Sequence, residues 1–100
     1  MSENDFDFER CEEVANLLKS LAHPTRLMLL CLLVEKPRTV SELTELTQSS
    51  QSGVSQFLNR MKLQGILETE REAQKVIYRI ADPNILKLMQ SLHSIYCPNH

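Results

Sequence analysis

Three thiols, one polar helix face and one hairpin tip hold the residue types in this chain that could do chemistry. The cysteines are Cys11, Cys31 and Cys97. Their odd number and the lack of any CxxC pair argue against a secreted disulfide scaffold and against a zinc knuckle. In a reducing compartment such residues are either small apolar packing groups or reactive thiols. Cys31, set among leucines, suits both readings. The second feature is a stretch from 50 to 64 that carries Ser50, Gln51, Ser52, Ser55, Gln56, Asn59 and Arg60. Gln and Asn pair with adenine, Arg with guanine or phosphate, and Ser with either, so the set can read base edges. An ordinary solvated helix face has the same composition, and the choice between them depends on what surrounds the stretch. Arg71, Gln74 and Lys75 form the third feature, a basic tip that could reach phosphates or the minor groove. No Ser/His/Asp set, paired-carboxylate site or Gly-rich phosphate loop accompanies them, so neither an enzyme nor a bound cofactor is expected.

These residues need elements to position them. Phe6 and Phe8, followed by Val14, Leu17, Leu18 and Leu21, predict a first helix from about residue 7 to 20. Pro24 fits the first turn of a second helix over 24–35, where its missing N–H costs nothing. That helix is apolar on nearly every side, which predicts a central position. Thr39 and Ser41 both offer N-cap hydroxyls to a short third helix, and Ser50 offers one to a fourth. On the fourth helix Val54, Phe57, Leu58 and Met61 fall at i, i+3, i+4 and i+7, a buried stripe opposite the polar face. Gly65 then supplies a helix-ending residue. Two short helices joined by the polar turn 47–50 make a helix-turn-helix. Segments 66–71 and 75–80 have strand composition, with Glu72, Ala73 and Gln74 as the turn of a β-hairpin. Asp82 caps a last helix with Pro83 at its first position, running to about Tyr96. The order α-α-α-α-β-β-α is a winged helix-turn-helix, mainly α with one small hairpin.

Composition bounds the rest. One hundred residues with 42% hydrophobic and 24% charged side chains suit a single folded domain. Two Gly and four Pro are few for an all-β protein. The longest apolar run, 27–34, is far short of the roughly 20 residues of a membrane span, and no leader-like stretch opens the chain. A cytoplasmic protein is expected, without a membrane partner. The net charge of −2 is unevenly placed: residues 1–13 carry six acids against Arg10, leaving the remainder mildly basic. Such a body with an acidic arm still permits DNA binding. The expected division is therefore an arm at 1–13, which includes the start of the first helix, and a DNA-binding domain at 14–97. Apolar stripes on both terminal helices predict a homodimer, which also suits a two-fold symmetric DNA site.

The run Leu18-Lys19-Ser20-Leu21-Ala22-His23-Pro24-Thr25-Arg26-Leu27 resembles the entry to helix two of the ArsR/SmtB family of bacterial repressors. Val40-Ser41-Glu42-Leu43, the stretch 50–58, and Met61 with Gly65-Ile66-Leu67 continue the likeness. It spans residues 14–97, and Phe57 stands where the family commonly has His. Most of that family senses metals. Its helix-three thiolate box falls on Glu42-Leu43-Thr44-Glu45-Leu46, where both thiols are missing. Its helix-five zinc set falls on Asp82, Asn84, Ile95 and Pro98, of which only Asp82 survives, better explained as a helix cap. No metal site is therefore expected. Cys31 and Cys97 instead match the two-thiol, persulfide-responsive branch of the family, that of the biofilm growth-associated repressors. The resemblance implies a repressor that binds operator DNA when reduced, with reactive sulfur species as inducer linking Cys31 to Cys97, and the chemistry leaves other thiol oxidants open as well. Three alternatives stay open: a metalloid site built from Cys11, Cys31 and Cys97, haem binding at Cys97-Pro98, and an interaction module without DNA binding.

Overall fold

Asp7 accepts the Arg10 N–H at 2.8 Å and starts α1 (Phe8–Leu21). The computed structural model describes residues 7–97, so Phe6, Pro98, His100 and the first six residues of the acidic arm lie outside it. The chain then bends by 95° into α2 (Pro24–Glu35). Pro24 occupies the first turn of α2, and the His23 Nδ1 accepts the Thr25 N–H in the role of cap.

Arg38–Thr39 pair with the hairpin as a short strand, β1, which the sequence reading lacks. Two residues are too few to show a period. Of the two hydroxyls offered to α3 (Val40–Thr47), Thr39 is the one used. It accepts the Glu42 N–H while the Glu42 carboxylate accepts the Thr39 N–H, a reciprocal capping box. Gln48, in the left-handed region at φ 56°, turns the chain toward α4 (Gln51–Leu63). The Ser50 Oγ accepts the Gly53 N–H at 3.1 Å. A Cβ on Gly53 would lie 3.0 Å from that oxygen, so glycine leaves the cap its room. Gly65 ends the helix region at φ 81°.

Strands β2 (Leu67–Glu72) and β3 (Lys75–Ile80) form the wing, and the sheet order is β1-β3-β2, all antiparallel. Glu72 pairs with Lys75, so the turn is Ala73-Gln74 and Glu72 belongs to the strand rather than to the loop. Asp82 caps α5 (Pro83–Tyr96), accepting the N–H groups of Asn84 and Ile85.

The core lies where α2 crosses the other helices. Leu29 and Leu30 of α2, Leu43 of α3, Val54, Leu58 and Met61 of α4, and Ile85 and Met89 of α5 are all fully buried. The expected central position of α2 holds on one side only. Met28 remains 45% exposed, and Leu27, Cys31 and Leu32 are half-buried. Phe57 likewise sits at the rim rather than within the buried stripe of α4.

Candidate nucleic-acid interface and thiol pair

α4 is an amphipathic rod about 20 Å long at 1.5 Å per residue. Three side chains bind it to the core, and the opposite faces stand clear. Gln51, Ser52, Gln56, Asn59 and Arg60 are exposed, while Ser55 is half-buried. Ser50 is exposed too, but its hydroxyl oxygen already serves the helix cap. Gln56, Asn59 and Arg60 line a shallow groove together with Leu63, which is 89% exposed. A helix of this shape fits the major groove of B-DNA, about 12 Å wide.

Arg71, Gln74 and Lys75 are exposed near the wing tip, as their spacing suggests. Their surroundings are less basic than the sequence reading implies. Lys75 stands opposite Glu72 across the ladder, and Arg79 donates to the Glu70 carboxylate. Gln74 and Lys75 also face the capping box of α3 across a groove lined by Thr39, Ser41 and Glu42. Hydrogen bonds from Thr39 hold the Glu42 carboxyl below its ordinary range, so it stays a carboxylate.

A second polar groove, missed by the sequence reading, lies where the α1–α2 corner meets α4. Lys19, His23, Arg26 and Arg60 line it beside Phe57 and Gln64. The His23 ring packs against Phe57 with centroids 4.8 Å apart, and the Arg26 guanidinium lies over the Phe57 ring at 5.6 Å. These are the contacts that Phe57 makes in place of histidine. A signal was present in the sequence: from Val14 to Val34 and from Leu46 to Leu67 there is no acidic residue.

The thiols meet on the other side of α2. Cys31 of α2 and Cys97, the residue that caps α5, line one cavity of about 270 Å³ with Leu27, Met89, Leu92 and Tyr96. Burial pushes the Cys31 thiol above its ordinary value, and the Cys97 and Glu35 charges raise it further. Glu35 is in turn 3.3 Å from the His93 Nε2 on α5. Cys31 is half-buried and Cys97 exposed, so Cys97 is the more accessible sulfur. Cys11 is exposed on α1 and does not line this cavity. Among the described residues no three His, Cys, Asp or Glu side chains gather to hold a metal. No single helix there is long and apolar enough to cross a membrane.

Comparison with known proteins supplies the setting. The family model "Bacterial regulatory protein, arsR family" matches residues 23–69, from the cap of α2 into β2. The biofilm growth-associated repressor of Xylella fastidiosa is 40% identical over 97 residues, covering 97% of this chain and 84% of that protein. Its crystal structure superposes with a TM-score of 0.83 at 41% identity, over 90% of this chain and 89% of that one. The Escherichia coli HTH-type transcriptional regulator YgaV is 40% identical over 88 residues, 87% of this chain and 89% of its own. A homodimeric winged helix-turn-helix DNA-binding domain from Mycobacterium bovis shares 28% identity at a TM-score of 0.74, over 94% of this chain and 87% of that one. These proteins are regulators rather than enzymes, and with this fold and these matches the chain belongs to the arsR family of bacterial regulatory proteins.

Proposed function

We propose that the protein is a homodimeric transcriptional repressor that binds operator DNA with both thiols reduced and releases it when reactive sulfur species bridge Cys31 to Cys97. The observation that carries this reading is the shared cavity, which brings together two cysteines 66 positions apart, one on α2 and one capping α5. The repressor of Xylella fastidiosa lends support as a relative. Dimerisation is supported by the exposed apolar side chains of the terminal helices, Phe8 and Leu18 on α1 and Ile95 and Tyr96 on α5. DNA readout is assigned to Ser50, Gln51, Ser52, Ser55, Gln56, Asn59 and Arg60 of α4 and its cap, with Arg71, Gln74 and Lys75 on the wing.

The chemistry follows from the unequal thiols. The Cys97 thiolate attacks a polysulfide and displaces hydrosulfide, leaving sulfane sulfur on Cys97. The Cys31 thiolate then attacks that chain and displaces a second hydrosulfide, closing the bridge. Two thiols are oxidised and polysulfide sulfur is reduced, so no other oxidant is needed. A direct disulfide needs Cα atoms roughly 4.4–6.8 Å apart, whereas one or two inserted sulfurs span a wider gap. α2 packs against α3 and α3 against α4, so a bridge that shifts α2 against α5 is passed through α3 to α4, which is how release reaches the DNA.

The test is duplex binding with and without inorganic polysulfide. The wild type should lose about a hundredfold in operator affinity, about 2.7 kcal/mol of coupling. Cys31→Ser and Cys97→Ser should each bind DNA but fail to release it, and Cys11→Ser should behave as the wild type. Release by Cys97→Ser would eliminate the two-thiol bridge. Release by arsenite through all three cysteines would favour the metalloid reading, and a haem-dependent response the haem reading.

A further inference from the structure

The groove between the α1–α2 corner and α4, about 360 Å³, has no part in the thiol switch and lies outside the residues assigned to base reading except for Arg60. Its walls carry Lys19, Arg26 and Arg60 without a carboxylate, and the segments that form them hold no acidic residue over 14–34 or 46–67. Arg26 is the more telling member. Only 8% of it is exposed, yet no ion pair among the described residues includes it. It donates to the Ser20 carbonyl and rests on the Phe57 ring. A guanidinium has five N–H donors, and a buried cation is ordinarily paired. His23 adds a donor: its Nδ1 accepts the Thr25 N–H, so the neutral ring carries its proton on Nε2. Lys19, His23, Arg26 and Arg60 therefore offer N–H donors to whatever enters, and the other polar lining, Ser20 and Gln64, is uncharged.

We propose that this groove is a phosphate site, and that its occupant is a phosphodiester of the duplex backbone. The inference rests on the DNA-binding reading above. What selects a DNA phosphate over a free phosphoanion is continuity. Arg60 lines both this groove and the groove it shares with Gln56 and Asn59 on the exposed face of α4, so one cation joins the base-reading residues to the groove that holds Lys19 and Arg26. A phosphate held there fixes the register of α4 in the major groove and carries no sequence information of its own.

Anisotropy titrations of a random-sequence duplex over a series of NaCl concentrations test this on the full chain. Each phosphate neutralised contributes about 0.9 to the slope of log K against log salt. Lys19→Gln, a change at an exposed residue, should lower the slope by about 0.9 per protomer engaged. Lys87→Gln, on α5 outside the groove, should leave it unchanged. A second arm follows backbone amide shifts of residues 19–26 by NMR while pyrophosphate is added without DNA. Shifts in the wild type that vanish in Lys19→Gln, with an unaltered salt slope, would overturn the DNA assignment in favour of a free phosphoanion. Neither a slope change nor amide shifts would overturn the phosphate site altogether. A wild type that binds no duplex at all refutes the DNA reading itself, and the pyrophosphate arm then decides the groove alone.

Discussion

On α4 and the α1–α2 corner, Lys19, Arg26 and Arg60 stand together with no carboxylate among them. On the wing, Arg71, Lys75 and Arg79 share two strands with Glu68, Glu70 and Glu72, and Glu70 holds Arg79 in an ion pair. Both regions project polar side chains into solvent, yet only the first produces an unbalanced field. Charges of opposite sign a few ångströms apart cancel beyond a Debye length, about 8 Å at physiological salt. The wing can therefore make short-range contacts once docked, but long-range attraction to a polyanion comes from the helix side. Rigidity divides the same way. Three fully buried residues anchor α4, whereas every residue from Glu70 to Lys75 at the wing tip is exposed.

The largest effect should come from loosening α4. Leu58→Ala opens a hole beneath the helix at a fully buried site, and about 3 kcal/mol of stability should be lost in urea unfolding, within the 2–5 kcal/mol usual for such truncations. A loss under 1 kcal/mol would mean that α4 is held no more firmly than the wing.

Base reading separates the two regions next. Gln56→Ala should relax discrimination at a single base position by about 1–3 kcal/mol in competition against mismatched duplexes. Lys75→Gln should weaken specific and random DNA alike and lower the salt slope by less than one phosphate's worth, because Glu72 stands opposite Lys75. Equal losses on matched and mismatched duplexes for Gln56→Ala would remove that residue from base reading. A full-unit slope change at Lys75 would return the electrostatic role to the wing.

A smaller effect is expected where the two regions meet, at the capping box of α3. Thr39→Ala removes the cap hydroxyl and should cost about 1 kcal/mol in thermal or urea unfolding. Glu42 titrates below its ordinary 4.5 because Thr39 donates to its carboxylate. The sign follows from that: the unfolded chain binds the proton more tightly, so the contribution is present above pH 4.5 and fades as pH falls through the lower folded value. Any advantage of the wild type over Glu42→Gln at neutral pH should shrink below pH 4.5, and one that grew there would contradict this assignment.

Much of this is legible in the sequence alone. The N-caps at Ser50 and Asp82, Pro24 and Pro83 at helix starts and the left-handed Gly65 are local signals, each with a physical cause contained within a few residues. The 3.6-residue period likewise picked out Val54, Leu58 and Met61 correctly. What escaped was non-local. Strand β1 exists because Tyr78 and Ile77 stand beside Arg38 and Thr39, a pairing no two-residue stretch announces. Phe57 fits the apolar period of α4 but lies at the rim, where the α1–α2 corner supplies its neighbours. The net charge of the wing is non-local for a similar reason. Counting Arg71 and Lys75 alone overlooks Glu72, which stands opposite Lys75, and Glu68 and Glu70, which face Arg79, whereas Arg71 itself stands opposite Val76. The thiols were nameable from the resemblance, but their common cavity depends on how α5 packs against α2.

The smallest effect belongs to the wing tip, and it separates the geometry of the wing from its charge. Ala73 takes φ 58° in the two-residue turn, a region where an L-residue with a Cβ is strained by about 1–2 kcal/mol. Glycine adopts that conformation freely but gives up about 0.5–1 kcal/mol through the greater freedom of its unfolded chain. The balance for Ala73→Gly is a stabilisation of about 0–1.5 kcal/mol, centred below 1, and each 1 kcal/mol raises Tm by about 4–8 °C in a domain of this size. Lys75, Gln74 and the cross-strand pairs are untouched by the change, so the salt slope on random DNA should stay at the wild-type value. A destabilised Ala73→Gly would mean that the turn does not hold residue 73 in the left-handed region. A stabilised variant with a shifted salt slope would mean that the tip's conformation, and not only its charge, sets how the wing meets phosphate. The contrast with α4 would then be one of rigidity more than of electrostatics.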